Sequence, residues 1–320
     1  MRVSLMVEGQ EGITWDEWLA LALACEEHGL DGLFRSDHYL SVRGRRDLGS
    51  LDAWATLAAL AARTQRVRLG VLVSPVTFRH PAVLAKMAAT VDHVSGGRVD
   101  VGMGAGWHEA EHRAFGFPFP PTSERYGLLA EQVEIVHRLW DRDEEEVTFE
   151  GRYYRLEACR ALPKPVQDPH PPLILGGGAG ARAVRLAARW ADEYNVLLQE
   201  PAEAKAARRR LDAACEAAGR DPASVPLSMM TTALVGTDRA ELERRARRLM
   251  EWRGEGGDVG AFLDSLARTR LVGTVDQVLE RLAEYADAGI RRVMLQHLLH
   301  NDLEMVALIG RGLVPAAARL

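Results

Sequence analysis

The sequence is poor in cysteine and contains no long apolar run. Its three cysteines, Cys25, Cys159 and Cys215, are widely spaced and odd in number, which predicts free thiols in a reducing cytoplasm rather than a disulfide framework. The most apolar window, residues 54–62, is far too short to span a bilayer, and the first residues show no signal-peptide pattern. We therefore expect a cytoplasmic protein with no membrane partner.

Lysine is also scarce, because only 3 of the 40 basic residues are lysines, and no basic tract stands out. The formal net charge is -5, and the isoelectric point is about 6.1. Proteins that bind nucleic acid usually present a basic patch or stripe, so this charge balance argues against such a partner. With 47% hydrophobic and 27% charged residues, the composition is that of an ordinary globular protein.

Short apolar runs alternate with longer amphipathic runs along the whole chain. Strict alternation of strands and helices predicts a parallel sheet with helices outside it. With eight strand candidates in 320 residues, the expected fold is an α/β (β/α)8 TIM barrel with insertions, formed by residues 1–320 as a single domain. The strand candidates are residues 2–7, 32–36, 66–74, 98–106, 172–178, 191–198, 226–236 and 290–297.

Two segments depart from the alternation. Residues 146–156 alternate in period two around Glu150 and Gly151, which predicts a hairpin inserted before the fifth strand. Residues 254–271 begin with a glycine-rich stretch, and we expect a mobile segment near the active-site face.

An ionisable cluster, Arg35-Ser36-Asp37-His38-Tyr39, follows directly on the second strand candidate. Barrel enzymes place their chemistry at the carboxyl ends of the strands, so this cluster lies where catalytic groups belong. The alternative is a capped, solvated loop. Because neighbouring residues of a strand point to opposite faces, Asp37 and His38 need not form a hydrogen-bonded pair.

Two glycine-rich stretches end other strands. Gly176 to Ala181 stands between a strand and a helix, where bare backbone N–H groups can approach a phosphate; the alternative is a tight turn. Gly102 to Gly106, followed by Trp107, predicts a flat or bulky ligand against the backbone; the alternative is close packing of strands. Arg79, after the third strand, either meets an anionic tail or forms a salt bridge on the barrel rim.

The stretch His108 to His112 reads HEAEH and matches a zinc-protease pattern. It opens a short helix that the following FGFPFPP must break, and no third ligand stands in its usual place. We therefore predict no metal site here and expect activity without added zinc.

Taken together, these stretches resemble the luciferase-like monooxygenase superfamily, and most closely its branch that uses the deazaflavin coenzyme F420. The resemblance extends over nearly the whole chain in family order. It rests on GLFRSDHYL, RLGVLVSPVTFRHPAVLAKMAATVDHVSGGRVDVGMGAGWHEAEHRAFGFPFPP, ERYGLLAEQVEIVHRLW, VTFEGRYYRL, PLILGGGAGARAVRLAARWADEYNVL and LVGTVDQVLERLAEYADAGIRRVMLQ. It implies a luciferase-like TIM barrel and, commonly, a homodimer.

The resemblance also implies a cofactor site. It places His38 and Asp37 beside the cofactor ring as the catalytic residues, with His38 as proton donor or acceptor. It implies a cis peptide bond under the ring, at Leu72–Val73 or Val73–Ser74, with Ser74–Pro75 as the fallback. The other residues expected at the cofactor are Gly104, Gly106 and Trp107, and, at its phosphate, Gly176, Gly177 and Gly178.

One departure from the family pattern concerns the substrate. Sugar-phosphate dehydrogenases of this branch carry an acidic glutamate after the fourth strand, and Trp107 occupies that place here. This puts sugar-phosphate oxidation in doubt. Glu109 and Glu111 follow closely, and the sequence assigns a role to neither.

The resemblance therefore predicts an oxidoreductase that moves a hydride between coenzyme F420 and a small organic substrate. A second hypothesis is a monooxygenase that uses reduced FMN and dioxygen, since the same residues suit both tricyclic rings. A third, of another class, is a non-catalytic protein that binds a flavin. The sequence names neither the substrate nor the direction of hydride transfer.

Overall fold

A computed structural model describes residues 1–197 and 200–320 of the chain. Leu198, the last residue of the predicted strand 191–198, lies outside the described residues. The strands are β1 Arg2–Val7, β2 Gly32–Arg35, β3 Arg68–Pro75, β4 Val99–Gly104, β5 Val147–Glu150, β6 Arg155–Cys159, β7 Leu173–Gly176, β8 Glu193–Leu197, β9 Leu227–Gly236, β10 Leu271–Thr274 and β11 Ile290–Gln296.

Helices follow most of these strands, with a 3-10 turn at Pro222–Ser224 and a π-helical turn at Ile309–Leu313. Within the described ranges, none of them is both long and apolar enough to cross a membrane. The α-helices are α1 Trp15–Glu27, α2 Ala53–Ala61, α3 Pro81–Ser95, α4 Glu109–Phe115, α5 Thr122–Trp140, α6 Ala181–Trp190, α7 Pro201–Ala217, α8 Arg239–Arg253, α9 Val259–Ala267, α10 Val275–Asp287, α11 Leu303–Leu308 and α12 Val314–Ala317.

Eight parallel strands close into a barrel in the order β1, β2, β3, β4, β7, β8, β9 and β11. The pairing of β8 with β9 and of β11 with β1 completes the ring, which confirms the predicted (β/α)8 fold. All eight predicted strands are present. A ninth strand in this sheet, β10, was not predicted; it pairs with the last four residues of β9.

Both irregular segments contain regular structure. The hairpin expected at 146–156 is present as β5 and β6, which pair antiparallel with Glu150 opposite Arg155. The segment 254–271 contains α9 and the first residue of β10. Both lie between barrel elements and leave the ring of eight strands intact.

Local signals in the sequence fix several helix ends. Thr14 and Glu17 form a reciprocal capping box at the start of α1. Pro81 begins α3, and Gly96 ends it in the left-handed conformation with φ 66°. These ends set where the chain leaves each helix and enters the next strand.

The barrel interior consists of an apolar layer and an ionic layer. Met6, Phe34, Leu72, Ile174 and Met294 form the apolar layer, and each is less than a tenth exposed. The ionic layer contains Arg292, whose guanidinium is 2.8 Å from an oxygen of Asp100 and 3.3 Å from one of Glu193.

The order of the two layers follows from β11. Arg292 precedes Met294 by two residues on this strand, so the ionic layer lies nearer the amino ends of the strands. Arg68 also pairs with Asp100, which therefore receives two guanidinium groups. The apolar layer thus separates these buried charges from the carboxyl ends, where the candidate site lies.

We predict that Asp100→Asn destabilises the protein by about 3 kcal/mol, because it removes a buried carboxylate that pairs with two guanidinium groups, those of Arg68 and Arg292. Urea unfolding followed by circular dichroism measures this. The matched control is Glu145→Gln, which alters an ion pair with Arg160 whose carboxylate is 83% exposed. That change should cost less than about 0.5 kcal/mol. Equal losses in the two variants would contradict a structural role for the ionic layer.

Candidate active site

The carboxyl ends of the barrel strands bring together residues that are far apart in the sequence. After β2, the chain carries Ser36 and Asp37, both buried, and then the half-buried His38. The side chains of these three residues point in different directions: Ser36 contacts Gln10, Asp37 contacts Ser74, and His38 contacts Glu111.

Asp37 forms an internal ionic cluster on the β3 side. Its carboxylate accepts a hydrogen bond of 2.7 Å from Ser74 and is paired with the guanidinium of Arg79. Arg79 also donates to Asp52 at 3.0 Å, and Trp54 donates to Ser74 at 3.0 Å. The Arg79 side chain is only 8% exposed, so this residue forms the rim salt bridge and is not displayed toward an anionic ligand.

His38 pairs instead with Glu111, a residue for which the sequence predicted no role. The Nδ1 atom of His38 is 2.7 Å from Oε2 of Glu111, whose side chain is completely buried. The other oxygen, Oε1, accepts from the backbone N–H groups of Tyr39 and Leu40. One carboxylate thus fixes both the imidazole and the backbone of the loop after β2.

This pairing changes the acid–base properties of both groups. Burial by itself lowers the pKa of His38, but the hydrogen bond and the negative charge of Glu111 outweigh it and raise the pKa above its usual value. Burial raises the pKa of Glu111. The hydrogen bond with His38 and those from the backbone N–H groups together have the opposite and larger effect, so the pKa of Glu111 lies below its usual value. At neutral pH, Glu111 therefore carries its charge and favours the protonated form of His38.

The floor of the site is formed by the end of β3. The peptide bond between Leu72 and Val73 is cis, at the first of the predicted positions, and Ser74–Pro75 is not among the cis bonds of the described residues. The Val73 side chain lies against two glycines: an added Cβ would be 2.5 Å from Val73 at Gly104 and 3.4 Å at Gly176.

The glycines of β4 serve the packing of the protein on itself. A Cβ at Gly102 would be 2.1 Å from the Val71 carbonyl oxygen, closer than real contacts allow. Gly106 has φ 77° and lies over Pro75 and Thr77. On the side where a side chain would stand, Gly102 and Gly104 are therefore packed against strand β3.

Trp107 stands at the mouth of the barrel and is 63% exposed. Its ring lies edge-on to His38 at 5.6 Å between ring centroids, and it stacks on His108 at 5.0 Å. A large apolar surface that remains open beside a paired histidine is available to a ligand.

The glycines after β7 lead into the start of α6. A side chain on Gly178 would meet no atom within 4 Å, whereas one on Gly177 would approach the Tyr194 hydroxyl at 3.1 Å. Gly180 precedes helix α6 as its N-cap residue and has no side chain to cap it, and the first turn of α6 has no acidic residue. Its first N–H groups and positive dipole end are suited to an anion.

The HEAEH stretch does not form a zinc-protease site. Both ring nitrogens of His112 are engaged, Nδ1 with the carbonyl of His108 and Nε2 with the hydroxyl of Thr77. His108 precedes helix α4 instead of lying on it. Two residues of this motif lie at the site: Glu111, which pairs with His38, and His108, whose Nδ1 atom is 3.7 Å from Oε2 of Glu111. The place of Glu111 in the helix directly after β4 was the signal available in the sequence.

Across the mouth, a polar chain joins β1, β9 and β11. Gln296 donates to Glu8 at 2.6 Å and accepts from Thr232 at 2.7 Å, and Gln10 donates to the other Glu8 oxygen at 2.8 Å. These groups lie on the side of the barrel opposite β3 and β4. They offer hydrogen-bonding partners to a small polar ligand.

Fold and site together define a (β/α)8-barrel protein with a carboxylate–histidine pair and a glycine-rich, uncapped helix start at the carboxyl ends of its strands. The chain belongs to the luciferase-like monooxygenase family, whose sequence model matches residues 1–292.

Similar proteins include an F420-dependent glucose-6-phosphate dehydrogenase from Nakamurella multipartita, 32% identical over 92% of this chain and 90% of the relative. Among solved structures, the monooxygenase RslO1 from Streptomyces bottropensis is 26% identical and superposes with a TM-score of 0.84 over 98% of this chain and 99% of its own. An F420-dependent secondary alcohol dehydrogenase, 22% identical, shares the fold with a TM-score of 0.82 over 99% of this chain and 98% of its own.

We predict that Glu111→Gln lowers the pKa of the His38 imidazole relative to the wild type. Burial, which lowers this pKa, remains in the variant, whereas glutamine removes the Glu111 charge, which contributes more to raising the pKa than the charges of Glu8 and Asp37 do. The His38 ring resonances in an NMR pH titration measure the change. The control is Glu109→Gln, a neighbouring carboxylate that is 66% exposed. An unchanged His38 titration in Glu111→Gln would refute the electrostatic role given to Glu111.

Proposed function

We propose that the chain is an F420-dependent oxidoreductase, which transfers a hydride between the deazaflavin and a small organic substrate. The observation that carries the proposal is the His38–Glu111 pair, held at the barrel mouth beside the exposed ring of Trp107. The 32% identity to an F420-dependent dehydrogenase over almost the whole chain supports the choice of cofactor.

The residues present fit such a cofactor. The uncapped start of α6 and the open backbone at Gly178 suit a phosphate, with Gly176 and Gly177 beside it. The end of β3, at Leu72, Val73 and Ser74, would lie under the ring. The remaining residues around the ring would be Asp37, His38, Gly104, Gly106 and Trp107.

When bound, the cofactor supplies a carbon that gives or takes a hydride. The chain supplies the proton. His38 donates it to the substrate oxygen or accepts it from there, according to the direction of the reaction. Glu111 orients the ring and stabilises its protonated form. Asp37, which the sequence also suggested as catalytic, acts as a positioning residue, because its carboxylate is taken up by Ser74 and Arg79.

We further infer that the protein works in the cytoplasm as a homodimer. The thiol state of Cys25, Cys159 and Cys215 supports the cellular location, because free cysteines suit a reducing compartment. The resemblance to the family supports the dimer. Sedimentation equilibrium decides the oligomeric state, and a monomer at micromolar concentration would overturn the second inference.

Coenzyme F420 should bind more tightly than FMN, and Gly178→Val should weaken its binding at least about tenfold, because the valine side chain occupies the space at the helix start. Isothermal titration calorimetry measures both. The matched control is Gly49→Val, since Gly49 also has open space around it but lies in the loop after β2. Tighter binding of FMN would favour the monooxygenase hypothesis, for which the likeness to RslO1 provides support.

His38→Ala should lower kcat by about 10²- to 10⁴-fold, the range typical of positioned acid–base catalysis, with little change in the Kd for F420. Asp37→Asn should instead lower thermal stability, because it breaks the buried pair with Arg79. Single-turnover hydride transfer and thermal unfolding, measured on both variants, separate the two roles. A wild-type rate in His38→Ala would show that the cluster after β2 is only a structured rim.

A further inference from the structure

His38, His108 and Glu111 form a cluster of metal-ligating side chains. One ligand atom from each residue lies within 4.8 Å of the other two. Oε2 of Glu111 is 2.7 Å from Nδ1 of His38 and 3.7 Å from Nδ1 of His108. Three ligands around a zinc ion, each about 2.0–2.1 Å from it, stand about 3.4 Å apart, so small side-chain rotations suffice.

One atom of this cluster has no hydrogen-bond partner among the described residues. Nδ1 of His108 is buried, and no donor or acceptor satisfies it. A buried polar atom in this state costs free energy that a bound ion would recover. The His108 ring stacks on Trp107, and its Nδ1 atom lies on the side of Glu111, 3.7 Å from Oε2.

The carboxylate of Glu111 is already oriented for an ion. Its Oε1 atom accepts from the backbone N–H groups of Tyr39 and Leu40, which leaves Oε2 for the two histidines. Such outer hydrogen bonds fix a ligand and strengthen metal binding. Two imidazoles and a carboxylate are a donor set that suits Zn²⁺, Cu²⁺ or Ni²⁺.

We propose that His38, His108 and Glu111 reversibly bind one divalent transition-metal ion such as Zn²⁺, and that the ion inhibits the enzyme. The ion takes the place of the proton between Nδ1 of His38 and Oε2 of Glu111, and this proton leaves to solvent. With Nδ1 of His38 and Oε2 of Glu111 both bound to the ion, the hydrogen-bonded pair that the proposed proton transfer uses is no longer formed. The inhibitory part rests on the proposed proton transfer by His38; the binding part does not.

Metal binding is tested on the full chain after dialysis against a chelator. Zn²⁺ is titrated by calorimetry, and Co²⁺ is followed by its visible absorption. We expect one ion per chain, with at least about tenfold weaker binding in His108→Asn and in His38→Asn. Glu109→Gln, which alters an exposed carboxylate of the same segment, should bind like the wild type. Absence of stoichiometric binding, or wild-type binding by His108→Asn, would overturn the site.

Inhibition is tested by F420-linked turnover with and without Zn²⁺. Saturating zinc should lower wild-type turnover at least about tenfold, and the same concentration should lower that of His108→Asn less than about twofold. Equal turnover of the wild type with and without bound zinc would overturn the inhibitory role. If no F420 turnover is found at all, the proposed function fails, and the titration still decides whether the metal site exists.

Discussion

The site depends on one buried carboxylate. Glu111 comes from the first turn after β4, yet its oxygens hold the imidazole of His38 and the backbone after β2. A charged group with no exposed surface is stable in this position only because several donors surround it. The same interaction therefore sets the position of the loop, the orientation of the ring and the protonation of His38. The candidate acid–base group and the candidate metal ligands share this single anchor.

The barrel supports this arrangement by separating two kinds of buried charge. Near the amino ends of the strands, Arg68 and Arg292 offset the charges of Asp100 and Glu193 under a layer of apolar side chains. Asp37 and Arg79 neutralise each other near the carboxyl ends. Because each cluster is compensated internally, Glu111 is left to act mainly on His38 and the loop that carries it. Charges that are paired in this way help to fix the positions of the site residues, and they do not pair with His38.

Glycine has two distinct roles at the mouth of the barrel. Gly102 and Gly104 make room for Val71 and Val73 of the neighbouring strand, so they serve internal packing. Gly178 has open space around it and precedes an uncapped helix, so it leaves backbone N–H groups free for an anion. The two stretches look alike in the sequence, and their surroundings in three dimensions separate them.

The sequence by itself determined the fold, because the alternation of apolar and amphipathic runs is a local property, and all eight barrel strands follow from it. It also predicted that Asp37 and His38 end a barrel strand at the catalytic face. It did not predict β10, which is only four residues long and lies at the edge of a segment interpreted as mobile. Only the tertiary structure decided that Arg79 pairs with Asp37 and that Glu111 pairs with His38, since these partners are 42 and 73 residues apart in the sequence. Closure of the barrel brings them together, and no local pattern records which side chains then meet.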